Sequence, residues 1–277
     1  MMIASADYEF LSQFLVKNSG LSLGPGKEYL LEARLIPLAQ SWGLSGIPEL
    51  VVEVRRNPQM ALAHGVVEAM TTNETLFFRD KTPFDELRDQ LLPKLLESRQ
   101  TIRRLRIWSA AASTGQEAYS LAMLLRDGFP QLDNWSIEIV GTDLSKAALA
   151  RAEAGVYSQF EVQRGLPIQL LVKHFVQDAG GWKIKDELRR WVRFRPMNLM
   201  DSFHQLGQFD VIFCRNVLIY FENPVKKEIL ERMATILRPD GHLILGAAET
   251  VLGVTEKFDR LRNCKAAVYT PGSLATV

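Results

Sequence analysis

The sequence predicts an α/β protein, a largely parallel sheet preceded by an all-α module, and three observations carry that expectation. About the first seventy residues place apolar side chains at helical spacing: Phe10, Phe14 and Val16, then Leu30, Leu31, Leu35 and Leu38. From Leu105 onward short apolar runs alternate with amphipathic stretches, which is the rhythm of strands joined by helices. Most of those runs are too apolar to leave one face in water, so both faces of the sheet should be covered.

Within the first module, Gly24-Pro25-Gly26, Trp42-Gly43 and Asn57-Pro58 punctuate the pattern into short helices. The strands are expected at Leu105–Trp108, Ile137–Val140, Val192–Phe194, Val211–Cys214 and Leu243–Leu245. Helices are expected from Glu117 to Leu125, Lys146 to Glu153 and Pro224 to Leu237, the last with proline well placed for a first turn. Pro239-Asp240-Gly241 is expected as the turn that ends that helix and admits the next strand. About forty residues separate the second helix from Val192, more than a connecting loop needs, so an inserted subdomain is expected there. It should hold a helix around Ile168 to Lys173 and a hairpin of His174–Gln177 and Trp182–Lys185 turning at Ala179-Gly180-Gly181. The resulting division is a helical domain over 1–75 and an α/β domain over 76–277, with an insertion at about 155–192.

Composition sets the outer limits. The 277 residues are 47% hydrophobic and 23% charged, ordinary for a globular chain and unlike disordered or collagen-like sequence. Thirty-three basic and thirty-two acidic side chains give a net charge of +1, so no global attraction draws the chain to nucleic acid or an anionic bilayer. Charged recognition must be local, and the basic stretch Lys183 to Arg195, set against Asp186 and Glu187, reads equally as a solvated face or as a binding surface. The N-terminus lacks the basic and apolar regions of a secretory signal and no stretch has the length of a membrane span, so a cytoplasmic protein without membrane insertion is expected. Cys214 and Cys264 have neither disulfide-framework nor zinc spacing, and the four histidines lie in unrelated segments. The expectation is two inert thiols and no metal site.

Chemistry is concentrated after the strands. The turn Ser109-Ala110-Ala111-Ala112-Ser113-Thr114-Gly115 leads into a helix, and its small residues let a ligand approach the backbone near free N–H groups. A dinucleotide fingerprint and a P-loop lysine are both absent, which disfavours a polyphosphate and leaves a nucleoside without phosphates. Asp143 stands at the carboxyl end of the second strand, placed to accept from two ribose hydroxyls, though aspartate there also suits a helix cap. Met197-Asn198-Leu199 and Cys214-Arg215-Asn216 follow two further strands, along the edge where open α/β sheets bind ligands. As a linker, Met70 to Asp80 would need a capping threonine and two core phenylalanines, which leaves Asn73, Thr75 and Arg79 without a role.

Five segments in order resemble the chemotaxis-receptor glutamate methyltransferase family, CheR: Thr71–Asp80, Trp108–Glu117, Thr142–Ser145, Phe209–Phe221 and Leu237–Gly241. The resemblance spans residues 10 to 270 or so. It implies an N-terminal all-α domain, a Rossmann-like class I sheet for S-adenosylmethionine (SAM), and a small β-subdomain insertion. By that resemblance Asn73, Thr75 and Arg79 contact SAM or line the active site. Glu117 sits near the amino acid end of SAM and Asp143 on its ribose, while Asn198, Leu199, Arg215 and Asn216 complete the pocket. Arg79, Arg215 and Tyr220 match residues that the family places near methyl transfer. Gln116 and Ala118 depart from the Glu and Pro often found beside Glu117.

The implied activity is transfer of a methyl group from SAM to glutamate carboxylates on a helical, cytoplasmic segment of a chemoreceptor, leaving S-adenosylhomocysteine and setting adaptation. The protein is expected to act as a monomer. One glutamate offers little surface, so specificity is expected from outside the sheet, including Lys17, Lys27 and Arg34 in the helical module and the basic stretch of the insertion. Two other readings stay open: a SAM-dependent methyltransferase of another substrate, and a catalytically silent SAM-binding signalling adaptor.

Overall fold

The computed structural model describes residues 3–24 and 26–272. They form two compact units, one from residues 1–72 with 220–225 and the other from 73–219 with 226–277.

The first unit holds α1 (Ser5–Ser19), α2 (Glu28–Ser41), α3 (Ile47–Arg56) and α4 (Ala61–Ala69). Its core takes Leu11, Phe14 and Leu15 from α1, Leu31 and Leu35 from α2, Leu50 and Val54 from α3, and Leu62 and Val66 from α4. The buried stripe of α1 is thus set by Leu11, and Val16 is 40% exposed. Phe10 stays at the margin, stacked on Phe14 and covered by the Arg55 guanidinium 4.3 Å from its ring. Arg34 donates to Met70 O at 2.7 Å, Thr71 O at 2.8 Å and Thr72 Oγ1 at 3.1 Å. This corrects the expectation that Arg34 is a docking charge: its guanidinium ties down the end of the helical unit, satisfying carbonyls beyond α4.

The second unit is built on a seven-stranded sheet of β1 (Arg104–Ala110), β2 (Ser136–Asp143), β6 (Val192–Pro196), β7 (Phe209–Cys214), β8 (Leu237–Leu245), β9 (Phe258–Arg260) and β10 (Ala267–Pro271). Its order is β6-β2-β1-β7-β8-β10-β9, with the first five mutually parallel, β10 antiparallel to β8, and β9 antiparallel to β10. Every residue of β7 is buried: its apolar run Val211–Cys214 is covered on both faces, and the one charged member, Asp210, is buried with ion-pair partners. Helices α7 (Gln116–Gly128), α8 (Lys146–Ala154) and α12 (Asn223–Ile236) follow β1, β2 and β7. Before β1 the chain forms α5 (Thr82–Glu86), a π-helical turn and α6 (Leu92–Ser98), which bury Phe84, Leu87, Leu92 and Leu95.

Pro239-Asp240-Gly241 does not separate a helix from a strand. Pairing with β7 already begins at Leu237, and the register shifts between Phe209 and Val211, so these residues bulge from within β8. The bulge serves an ion cluster in which Arg99 and Asp210 are buried and Asp240 is exposed: Arg99 donates to Asp210 Oδ1 at 2.8 Å and to Asp240 Oδ1 at 2.6 Å. Asp210 Oδ2 in turn accepts from Arg106 N at 2.8 Å. Asp210 and Asp240 therefore brace the strands at the end opposite their carboxyl termini.

Between α8 and β6 lies a second sheet of order β3-β5-β4, made of β3 (Val156–Tyr157), β4 (Phe175–Asp178) and β5 (Gly181–Ile184). It is accompanied by α9 (Gln159–Gln163), α10 (Ile168–His174) and α11 (Asp186–Arg189). His174 is fully buried, with Nε2 2.9 Å from Asp127 Oδ1 at the end of α7. Cys214 and Cys264 are buried free thiols, and burial pushes both above the ordinary thiol range, which leaves them unreactive. Among the described residues no helix is long and apolar enough to cross a membrane.

Candidate active site

The carboxyl ends of β1, β2, β6 and β7 lie side by side in the sheet, and each feeds a turn carrying polar groups. After β1 the backbone alternates in hand: Ala111 has φ 59°, Ser113 φ 51° and Gly115 φ 93°. Gly115 caps α7 in a left-handed conformation, and an added Cβ would meet Ala152 Cβ at 2.8 Å, so only glycine serves. Trp108 Nε1, fully buried under the turn, donates to Thr142 Oγ1 at 2.9 Å and locks β1 to β2.

Asp143 ends β2. Its Oδ2 accepts from Ser113 N at 2.8 Å and its Oδ1 from Ser145 N at 2.9 Å. The helix-cap role is instead taken by Ser145, whose hydroxyl accepts from Ala148 N. The same Ser113 donates its hydroxyl to Asn73 O at 2.7 Å, so one serine connects the Asp143 carboxylate to the segment leading to Arg79. Met197 N donates to Asp143 O at 2.9 Å, which places Asn198 and Leu199 directly beyond β6 at the same edge. Arg232 of α12 holds this loop by donating to Leu199 O at 2.7 Å and Met200 O at 2.9 Å.

Arg215, just past β7, joins three groups at this edge. Its side chain is 1% exposed. Nη1 donates to Glu117 Oε2 at 3.0 Å, and Nη2 to Arg79 O at 2.7 Å and Asp80 Oδ2 at 2.8 Å. Its Nε is buried with no hydrogen-bond partner among the described residues. Glu117 also accepts from Ser109 Oγ at 2.8 Å. Burial pushes the Glu117 carboxyl above the ordinary carboxylate range, with Arg215 and Ser109 opposing that rise.

Arg79 contributes its carbonyl to this cluster, while its guanidinium donates to Glu74 O at 3.1 Å. The chain around it is strained: Phe78, Asp80 and Lys81 have φ of 49°, 64° and 43°. Thr75 is half-buried earlier in the same segment. Tyr220 ends a 3₁₀ turn that begins at Leu218, half-buried, and there the chain passes into the helical unit, where its carbonyl accepts from Ser22 N at 3.0 Å.

Sequence reasoning placed Ser109 and Ser113 in the ligand turn and Asp80 in the Thr71–Asp80 segment without giving them individual roles, and it missed Glu249. Asp80 adjoins Arg79 in a segment already singled out, so its position was a signal. Glu249, which accepts from Asn216 N, Val217 N and Leu218 N, lies 31 to 33 positions from its partners and carries no local signature.

Comparison with known proteins covers nearly the whole chain. Residues 73–267 match the family model described as CheR methyltransferase, SAM binding domain, and residues 6–71 match CheR methyltransferase, all-alpha domain. The chemotaxis protein methyltransferase of Vibrio parahaemolyticus is 42% identical over 271 residues, covering 96% of this chain and 97% of that protein. Chemotaxis protein methyltransferase 1 of Pseudomonas aeruginosa is 41% identical over 274 residues, covering 97% and 99%. The chemotaxis protein methyltransferase of Borreliella burgdorferi is 32% identical over 248 residues, covering 88% and 87%.

Proposed function

Because the chain belongs to the CheR family of SAM-dependent chemotaxis methyltransferases, we propose that it forms methyl esters on glutamate side chains of a cytoplasmic chemoreceptor helix. The observation that carries this reading is the buried Arg215, bound through one guanidinium to Glu117, Asp80 and the carbonyl of Arg79. It brings a cation into the sheet's carboxyl edge beside the segment that carries a second arginine, where a carboxylate acceptor needs positive charge.

The donor set fits SAM. Asp143, at the carboxyl end of β2, is fixed by backbone N–H groups of Ser113 and Ser145, and its carboxylate is the acceptor assigned to the ribose hydroxyls. Glu117, paired with Arg215, is the acidic group assigned to the ammonium of the methionine end. The orphaned Arg215 Nε is a buried donor that wants an acceptor.

SAM supplies a methyl group on a sulfonium leaving group, so the acceptor needs no further activation of the carbon. A glutamate with a reference pKa of about 4.3 is already ionised at neutral pH, and no strong general base is required. The chain's task is alignment, which supplies roughly 7–11 kcal/mol in favourable systems. Arg79 grips the acceptor carboxylate through a planar fork. Tyr220 is assigned the hydroxyl that hydrogen-bonds the same carboxylate. Asn73, Thr75, Asn198, Leu199 and Asn216 enclose the cofactor. Outside the pocket, the exposed Arg190, Arg193 and Arg195 meet acidic residues of the receptor helix, an attraction that salt weakens.

Mass spectrometry of receptor cytoplasmic fragments incubated with this protein and SAM tests the reading. It expects a gain of one methyl on glutamate that mild alkali removes. Methylation of another residue type, or none, would overturn the glutamate assignment.

A further inference from the structure

Four main-chain N–H groups converge on one buried carboxylate. Glu249 Oε2 accepts from Asn216 N at 2.8 Å and Gly246 N at 2.7 Å, and Oε1 from Val217 N at 2.9 Å and Leu218 N at 2.7 Å. Glu249 is 6% exposed, and no basic side chain among the described residues forms an ion pair with it. Its charge is compensated by backbone dipoles alone, in the manner of an anion nest whose anion the chain itself provides.

The turn so held is the one that follows β7 and carries Arg215 and Asn216. Asn216 is left-handed at φ 58°, a conformation uncommon for a residue with a Cβ, though least so for asparagine, and one that the surroundings must hold. Charge-assisted bonds to three successive N–H groups supply that hold. The space around the carboxylate is equally specific: a Cβ on Gly246 would stand 2.6 Å from Glu249 Oε2 and 3.0 Å from Asn216 N. Glycine at 246 is what lets β8 come close enough to present the N–H and admit the carboxylate.

We propose that Glu249 is a positioning residue for methyl transfer: its carboxylate fixes the 215–218 turn so that Arg215 and Asn216 meet SAM and the acceptor in one arrangement. The inference rests on the site assignment above, which gives Arg215 and Asn216 their roles. Glu249 touches neither SAM nor the acceptor; it acts through the turn. Its charge also adds to the rise of the Glu117 carboxyl, so the two acids share one electrostatic neighbourhood.

A mutant cycle tests this. Glu249→Gln keeps the shape but turns an amide NH₂ toward two backbone donors, and should lower both S-adenosylhomocysteine affinity and kcat roughly tenfold or more. In a background that carries both Arg215→Ala and Asn216→Ala the same substitution should change either quantity by less than about threefold, because the two groups it positions are gone. Full multiplicative loss in both backgrounds would overturn the proposal. If the Gln variant fails to fold, Glu249→Ala serves: sodium formate should restore affinity and rate saturably where sodium chloride of equal ionic strength does not, and equal effects of the two salts would overturn it. If the wild-type protein binds S-adenosylhomocysteine but esterifies no receptor, the substrate reading fails, and the cycle read in affinity still decides for or against Glu249.

Discussion

Arg215 Nη2 lies 2.8 Å from Asp80 Oδ2, joining residues 135 positions apart in sequence. The pair connects the loop after β7 to the strained segment that carries Arg79, and Glu117 completes a buried cation held between two acids. Asp80 is 45% exposed at its side chain while Arg215 is 1% exposed, so the bond ties a buried cation to a surface loop.

Asp80→Asn therefore separates loop placement from folding. Asparagine keeps the volume and one acceptor oxygen, and Glu117 still compensates Arg215, so stability should fall by only about 1 kcal/mol. Methyl transfer should fall roughly tenfold while S-adenosylhomocysteine affinity stays within about threefold. Calorimetry beside a rate assay reads both, and an unchanged rate would show that Asp80 does not set the position of Arg79.

Asp143→Ala removes the acceptor of Ser113 N and Ser145 N as well as the group assigned to the ribose. Affinity for S-adenosylhomocysteine should fall at least about tenfold, since hydrogen bonds to a charged acceptor are worth on the order of 1.5–3 kcal/mol each. The melting temperature should fall too, because two N–H groups lose their partner in a buried turn. Calorimetry showing wild-type affinity would remove Asp143 from the cofactor site.

Arg79→Lys should fold normally, because the structural bond at this residue runs from Arg215 to its carbonyl, which any side chain retains. Turnover should fall by about two orders of magnitude, since lysine keeps the charge without the bidentate fork. A wild-type rate would make Arg79 a bystander.

His242 predicts acid sensitivity. Burial pushes its pKa down from 6.5 to about 4, with Asp240 opposing and Lys94 adding to the fall. Between those values the unfolded chain takes up a proton that the folded protein refuses, so stability drops as pH falls through that window. The loss should reach on the order of 2 kcal/mol by pH 4.5. Denaturant titration from pH 7 to 4.5 should show that extra loss in wild type but not in His242→Leu; parallel curves would exclude it.

The elements legible in sequence were those with a single strong pattern. The apolar runs of β1, β2, β7 and the end of β8 announced a covered sheet, and the glycine pair at 180–181 announced the β4–β5 turn. Strands β9 and β10 were not legible, because Phe258-Asp259-Arg260 and Ala267–Pro271 are short, partly exposed and antiparallel. Pro239–Gly241 misled in the other direction: turn residues lie there, yet strand pairing begins before them. At the site, Asp143 and Arg215 were legible from their places after strands. Glu249 was not, since its meaning lies in amides of a loop more than thirty residues away.

The three left-handed residues around Arg79 carry a consequence for anyone evolving this protein. Phe78, Asp80 and Lys81 each hold a conformation that glycine would adopt at lower cost, on the order of 1 kcal/mol apiece. A screen that rewards heat tolerance alone would favour glycine at these positions and would gain survivors quickly. Those survivors would hold Arg79 on a slack tether, and at position 80 would also lack the acid that reaches Arg215. Directed evolution of this scaffold for ruggedness should thus be expected to accumulate stable, idle protein unless turnover is selected in the same round.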